Sequence, residues 1–395
     1  MQRLPDSPDR IQRELMLQLP LGQALQVVRG YTAEEARRAF ARARELCESL
    51  GDPPQLLHVL YGLHTVHLLR GERRDADRLA KQLLHRAEDA RDSEQLLIAH
   101  QAVGATLHEF GDNLSVREHL ETGISFYDRK RHRALGLDDF LIPSLSYLAL
   151  TLNTLGYPNQ ARKRSEQAIA LGRECGRPFI LTFAMHFDSF VRADCREARA
   201  AQETAERVIQ LSTEHGFAFW LAQATSVRGE AIADQGRTEE GIAEMLKGLA
   251  SMQAIGFEAN RAIHLARLAK AYGNVGRLDE GLRTLREAMA IAEEKEERKF
   301  DGVRLQLKGD LLLGQSAAHA PEAQLCFERA IEIARTQSAK FFELRATTSL
   351  ARLLASQGNR DGARTMLAEI YNWFTEGFDT ADLKDAKALL DELGA

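Results

Sequence analysis

A beat of about forty residues runs the length of this chain, and it constrains the fold more than any other feature. The landmark is a Gly that begins a Gly-x-x-x-x-small turn, found at Gly71, Gly111, Gly156, Gly236, Gly276 and Gly358. Arg196 and Ala318 stand at the intervening positions, and Tyr31 extends the series by one step. Successive intervals are 40, 40, 45, 40, 40, 40, 42 and 40 residues. A single compact core has no reason to repeat itself in this way. A solenoid does, because each unit buries its apolar face only against its neighbours.

Each unit reads as two amphipathic helices joined by the landmark turn. In the unit from Leu141 to Cys175, Leu145, Leu148, Leu152 and Leu155 form a stripe at helical spacing, broken by Gly156-Tyr157-Pro158-Asn159. Gln160 to Glu174 supplies the second helix, with Ala161, Ala168, Ile169 and Leu171 inward, and Gly176-Arg177-Pro178 ends it. Two columns of small residues imply close helix packing. Five positions after the landmark stand Ala36, Ala76, Val116, Ala161, Ala201, Gly241, Gly281, Ala323 and Ala363. Seven before it stand Gly104, Ala149, Ser189, Gly229, Ala269 and Ala351. Gly309 joins them if the two extra residues of the 42-residue interval lie in the turn before Pro321, and His64 is the exception.

The helix pair, the Gly turn and columns twelve residues apart resemble the tetratricopeptide family in a long-period form. HEAT-type repeats share the period but do not require Gly at the hairpin. The expected architecture is an all-α superhelical solenoid of about nine helix-turn-helix repeats. Residues 1–30 form an N-terminal helical segment interrupted near Pro20, 31–378 the repeat array, and 379–395 a capping helix begun by Asp379-Thr380-Ala381-Asp382.

Composition narrows the function. Lys plus Arg is 52 and Asp plus Glu 57, a net charge of −5, which argues against general nucleic-acid affinity. Four scattered cysteines without a Cys-x-x-Cys pair fit a reduced, cytoplasmic setting, and no apolar run is long enough to span a membrane. His58, His64 and His67 share a predicted helix but lack well-placed companions for zinc, and no Gly-x-Ser-x-Gly elbow presents a nucleophile. No metal, cofactor or catalytic residue is expected.

Several segments carry a closer resemblance. Tyr31-Thr-Ala-Glu-Glu, Ala41-Arg-Ala-Arg-Glu-Leu-Cys47, Gly123-Ile-Ser-Phe-Tyr-Asp128 with His132-Arg133, Gly216-Phe-Ala-Phe-Trp-Leu221, and the run from Tyr371 to Leu393 occur in that order. They resemble the C-terminal tetratricopeptide region of bacterial multidomain signalling proteins that join a nucleotide cyclase domain to a predicted AAA-type ATPase domain. The chain lacks Gly-x-x-x-x-Gly-Lys-[Ser/Thr] and any cyclase-like pair of aspartates. The resemblance therefore implies a sensor or scaffold arm, without the catalytic domains.

Two surfaces are candidates for binding. In a tetratricopeptide superhelix the first helix of each pair lines the concave face. That rule selects His58, Tyr61, Thr65, Gln101, His108, Ser146, Asn153, Phe183, His186, Phe190, Glu230, Lys270 and Asn274 as a groove for a protein or peptide ligand. The alternative occupant is a metabolite, as in tetratricopeptide-armed transcriptional activators. Phe183, Phe187 and Phe190 equally suit an inter-repeat core. Glu230, Lys270, Asp310 and Arg352 alternate in sign at one column, which reads as a ladder of inter-repeat ion pairs. The second surface is a basic loop, Arg129, Lys130, Arg131, His132 and Arg133, within the five extra residues before Gly156. It suits a phosphate or an acidic partner. Self-assembly through an end face is a further expectation.

Overall fold

The computed structural model describes residues 7–129, 138–257 and 260–394. Among them no strand occurs, and nineteen α-helices follow one another. The first six are α1 (Pro8–Arg29), α2 (Glu34–Ser49), α3 (Leu56–Leu69), α4 (Arg73–Ala90), α5 (Ser93–Phe110) and α6 (Asn113–Ser125). After them come α7 (Asp138–Thr154), α8 (Pro158–Cys175), α9 (Pro178–Asp194), α10 (Ala198–His215), α11 (Ala218–Asp234) and α12 (Thr238–Ala254). The array closes with α13 (Arg261–Asn274), α14 (Leu278–Glu294), α15 (Asp301–Gln315), α16 (Ala320–Thr336), α17 (Lys340–Ser356), α18 (Arg360–Tyr371) and α19 (Ala381–Gly394). Each odd-numbered helix up to α17 pairs with the next even one across a landmark turn, and α19 packs on α17 and α18 as a cap. No described helix is long and apolar enough to cross a membrane.

The turns show why the beat exists. A left-handed residue ends most helices, and it recurs every twenty residues rather than every forty. Gly71, Arg91 and Gly111 form one run, and Gly156, Gly176, Arg196, Gly216, Gly236, Gly256, Gly276 and Glu296 another, all with positive φ. The landmark glycines are thus the intra-repeat half of a series whose other half joins one repeat to the next. A 3-10 turn over Ala317–His319 occupies the connection in the 42-residue interval, and Gly309 keeps its place in the small-residue column.

Every member of both small columns is buried, as is the exception His64. At the α11–α12 crossing the two columns meet as Gly229 on Gly241. A Cβ on Gly241 would lie 2.4 Å from the Gly229 carbonyl oxygen, and one on Gly229 2.7 Å from that of Gly241. Backbone touches backbone there, so no side chain can yield. Gly241→Val is expected to destabilise the chain by about 1–3 kcal/mol. A urea midpoint unchanged from wild type would show that these helices separate freely.

One expectation fails at the N-terminus. α1 runs unbroken through Pro20 instead of being interrupted there. Pro20 lies on the exposed side of the helix, where water can take the place of the missing amide donor.

Residues far apart in sequence meet because the superhelix returns on itself. Tyr31 packs its ring at 5.6 Å from Phe179 and 5.4 Å from Phe219. Arg73 donates to the Lys295 carbonyl oxygen at 2.5 Å, and the Arg298 amide donates to that of Glu109 at 3.1 Å. Asn113 donates to the Gln337 carbonyl at 2.9 Å, and the Asn159 amide to Glu376 at 2.9 Å. Arg196 pairs with Asp385 at 2.5 Å, and Arg345 holds both Asp382 and the Asp194 carbonyl. Several of these hydrogen bonds link partners 189 to 224 residues apart. They form a seam along which one superhelical turn rests on the next. Gly111 and Gly156 sit on it with positive φ, and a Cβ there would strike Gln337 or Trp373 at 2.5 and 2.7 Å.

Candidate functional site

Closure along the seam turns the concave side into a partly enclosed cavity of about 440 Å³. Its walls come from α1, α3, α5, α7, α9 and α11, with Asn260 and Ile263 at the start of α13 and Lys299 and Phe300 before α15. The odd helices face it because their small columns admit the even helices behind them, leaving long side chains to project inward. Aromatic rings dominate. Phe183 stacks on Phe187 at 4.5 Å and 15°, Tyr147 meets Phe187 edge-on at 4.8 Å, and Tyr61 meets Phe140 at 4.9 Å. Trp220 lies 5.4 Å from Phe183 and 5.1 Å from His186. Exposed Gln23 and the half-exposed pair of Arg177 and Asp139, 2.5 Å apart, mark where the cavity meets solvent.

Among these rings are buried polar groups. Burial, with a smaller push from His67, brings the His64 imidazole down to about 3, and its Nε2 lies 2.8 Å from the Thr106 hydroxyl. Burial and the Lys299 charge lower His108 to about 3, and burial lowers His186 to about 3. All three are neutral at physiological pH. Six atoms on the cavity-lining side chains have no hydrogen-bond partner: Gln26 Nε2, Gln101 Oε1, Trp220 Nε1, and Nδ1 of His64, His108 and His186. Deeper in the wall, Glu109 accepts from Arg73 and from Lys299, each at 2.7 Å. Burial alone would raise the Glu109 carboxyl, but the Lys299 and Arg73 charges outweigh it and hold it at about 2. Glu109 and Lys299 therefore belong to the cavity wall and the seam together, with Arg73 behind them.

The groove rule fits the first half of the array better than the second. His58, Tyr61, Thr65, Gln101, His108, Phe183, His186 and Phe190 line one cavity. Phe183 and Phe190 are also buried core residues, so the two roles proposed for them coincide. Ser146, Asn153, Glu230, Lys270 and Asn274 do not line it. The Ser146 hydroxyl is turned back onto the Ile142 carbonyl at 2.8 Å, and Asn153 accepts from the Cys195 thiol at 3.1 Å. Glu230 is tied to Arg267 at 2.8 Å, Lys270 to Asp234 at 2.9 Å, and Asn274 is exposed. These pairings also replace the anticipated ladder, since neither Glu230 nor Lys270 takes the other as its partner. The groove rule assumes a uniform open superhelix, and the seam breaks that uniformity.

Of the basic loop, Lys130, Arg131, His132 and Arg133 lie outside the described residues, and Arg129 pairs with Glu174 at 2.6 Å. His67 does have carboxylate neighbours, contrary to expectation: ligand atoms of His67, Glu72 and Asp75 fall within 4.8 Å of one another. Glu72 is already engaged there by His67 and Arg70. Sequence reasoning missed Tyr31, Tyr147 and Trp220 on the lining, and Gln26 and Lys299 with them. The aromatic run Gly216 to Leu221 was visible as a resemblance, but nothing local ties it to Tyr31.

No protein-family model matches the chain, and no curated protein does. Solved structures do. A Rap protein complexed with competence and sporulation factor superposes with a TM-score of 0.64 at 11% identity, covering 98% of this chain and 100% of that one. The apo form of the quorum sensor NprR from B. thuringiensis gives 0.53 at 11%, covering 93% and 99%. A Signal Transduction ATPase with Numerous Domains protein with a tetratricopeptide repeat sensor, from Pyrococcus horikoshii, gives 0.46 at 14%, covering 91% and 55%. The fold is a tetratricopeptide-like solenoid. Likeness at such identity speaks to architecture alone.

Proposed function

We propose that this solenoid is a non-catalytic sensor arm that takes up a small ligand in its interior cavity. The observation that carries this reading is the partly enclosed, aromatic-lined cavity of about 440 Å³ on the concave side. About 440 Å³ lies within the range of small-molecule sites. The cavity wall and the seam share Glu109 and Lys299, so a ligand that shifts one shifts the other. That gives occupancy a route to the outer surface and to a partner protein. The segments resembling cyclase- and ATPase-linked signalling proteins support linked domains of that kind as the receivers.

A short peptide is the second reading. Its aromatic anchors would use the same rings, and the Rap structure of this fold is a complex with competence and sporulation factor. The test fills the cavity. Thr65→Trp and, separately, Leu150→Trp place an indole on the lining at half-buried positions. In a thermal-shift screen of metabolites and short peptides, a ligand at a hundred times its Kd should stabilise wild type by about 2.7 kcal/mol. Neither filled variant should respond. Equal stabilisation of all three proteins would place binding elsewhere and end the cavity reading.

A further inference from the structure

The chemistry of the wall narrows the ligand. Five lining residues ionise, and each already has its counter-charge within the protein. Glu109 is matched by Arg73 and Lys299, Asp194 by Arg267 at 2.8 Å, and Asp139 by Arg177. Lys299 spends a further hydrogen bond on the Asn260 side-chain oxygen at 3.2 Å. A charged ligand would have to break one of these pairs or be buried uncompensated, and both are costly in a wall of this kind. The histidines offer no charge either, since burial keeps them neutral.

The second requirement is shape. The stacked Phe183–Phe187 pair and the edge-on contacts of Tyr147 and Tyr61 present ring faces and edges, which favour offset stacking of another flat ring.

Resting on the cavity reading above, we infer that the ligand is an uncharged molecule built on a flat aromatic ring system. It is neither an organic acid, an amine nor a phosphorylated metabolite. A matched pair of probes tests this: 4-hydroxyquinoline and 4-hydroxyquinoline-2-carboxylate, which share a ring system and differ in one carboxylate. Calorimetric titration of the full chain at pH 7.5 should show saturable binding of the neutral probe, with the anion at least ten-fold weaker. Phe187→Leu, which stays apolar but removes one ring of the stacked pair, should weaken the neutral probe by about three- to ten-fold. Equal or tighter binding of the anion would overturn the charge rule while leaving the cavity as the site. Absence of binding by both probes at millimolar concentration would overturn the flat-ring class, which the filled variants and the wider screen do not depend on. Undiminished binding of the neutral probe to Thr65→Trp and Leu150→Trp would instead remove the cavity itself.

Discussion

Acidification from pH 7.5 to 5.5 is expected to destabilise this chain steeply. His64, His108 and His186 are lowered to about 3, and His264 well below the usual imidazole value, first by burial and then by neighbouring charge. Between about 3 and 6.5 the unfolded chain binds a proton at each of these sites and the folded chain does not. The unfolded state holds more protons, so stability falls as the pH falls. From pH 6.5 to 5.5 each imidazole costs about 1 kcal/mol, and the four together about 4 kcal/mol. That is a large share of the 5–15 kcal/mol typical of a folded protein. Urea midpoints at pH 7.5, 6.5 and 5.5 measure the slope, and His264→Phe should reduce it by about a quarter. His264 has neither ring nitrogen hydrogen-bonded and lies 5.6 Å from Phe190, so an apolar ring suits its place. A midpoint constant over this range would mean that the imidazoles are hydrated or paired in solution.

Removing the Glu109 carboxylate should be comparably damaging. Glu109→Ala leaves the Arg73 and Lys299 charges buried, with only Glu297 near Arg73 at 3.5 Å. Stripping one member from a buried ionic group typically costs about 3–5 kcal/mol. Here the same residues join α4 and α5 to the α14–α15 connection, so the seam should open as well. Small-angle scattering of Glu109→Ala is expected to report a larger radius of gyration than wild type, alongside the lowered urea midpoint. Loss below about 1 kcal/mol with unchanged dimensions would show that other seam contacts suffice.

The repeat architecture was legible because it is written locally. Gly71 or Gly276 must adopt positive φ, and Ala161 must be small, whatever lies elsewhere in the chain. The twenty-residue half-beat was harder to see because Arg91, Glu296 and Ser338 hold left-handed positions without being glycine. The first part of the lining, from His58 to Phe190, followed from helical register applied to an open groove. What register could not supply was the pitch of the superhelix, which accumulates from small rotations at every helix crossing. Hence the placement of Lys299 beside Glu109 and of Tyr31 beside Phe219 was out of reach, and Ser146, Asn153, Glu230, Lys270 and Asn274 were given to a lining they do not join. Three of the segments resembling larger signalling proteins nevertheless meet partners at the seam: Tyr31 meets Phe219 and Trp220, and Glu376, Asp379 and Asp382 meet Asn159, Arg162 and Arg196.

Stacked repeats that touch only their neighbours unravel from the ends and can nucleate anywhere. A chain whose Arg73 grips the Lys295 carbonyl and whose Arg345 grips that of Asp194 cannot do so. Its terminal repeats are held by the middle of the array, so fraying is suppressed and melting approaches one concerted step. Its folding must wait for contacts of long sequence separation, which slows it relative to an open array of equal length. The ring that encloses the cavity thus also makes nine modular units behave as one.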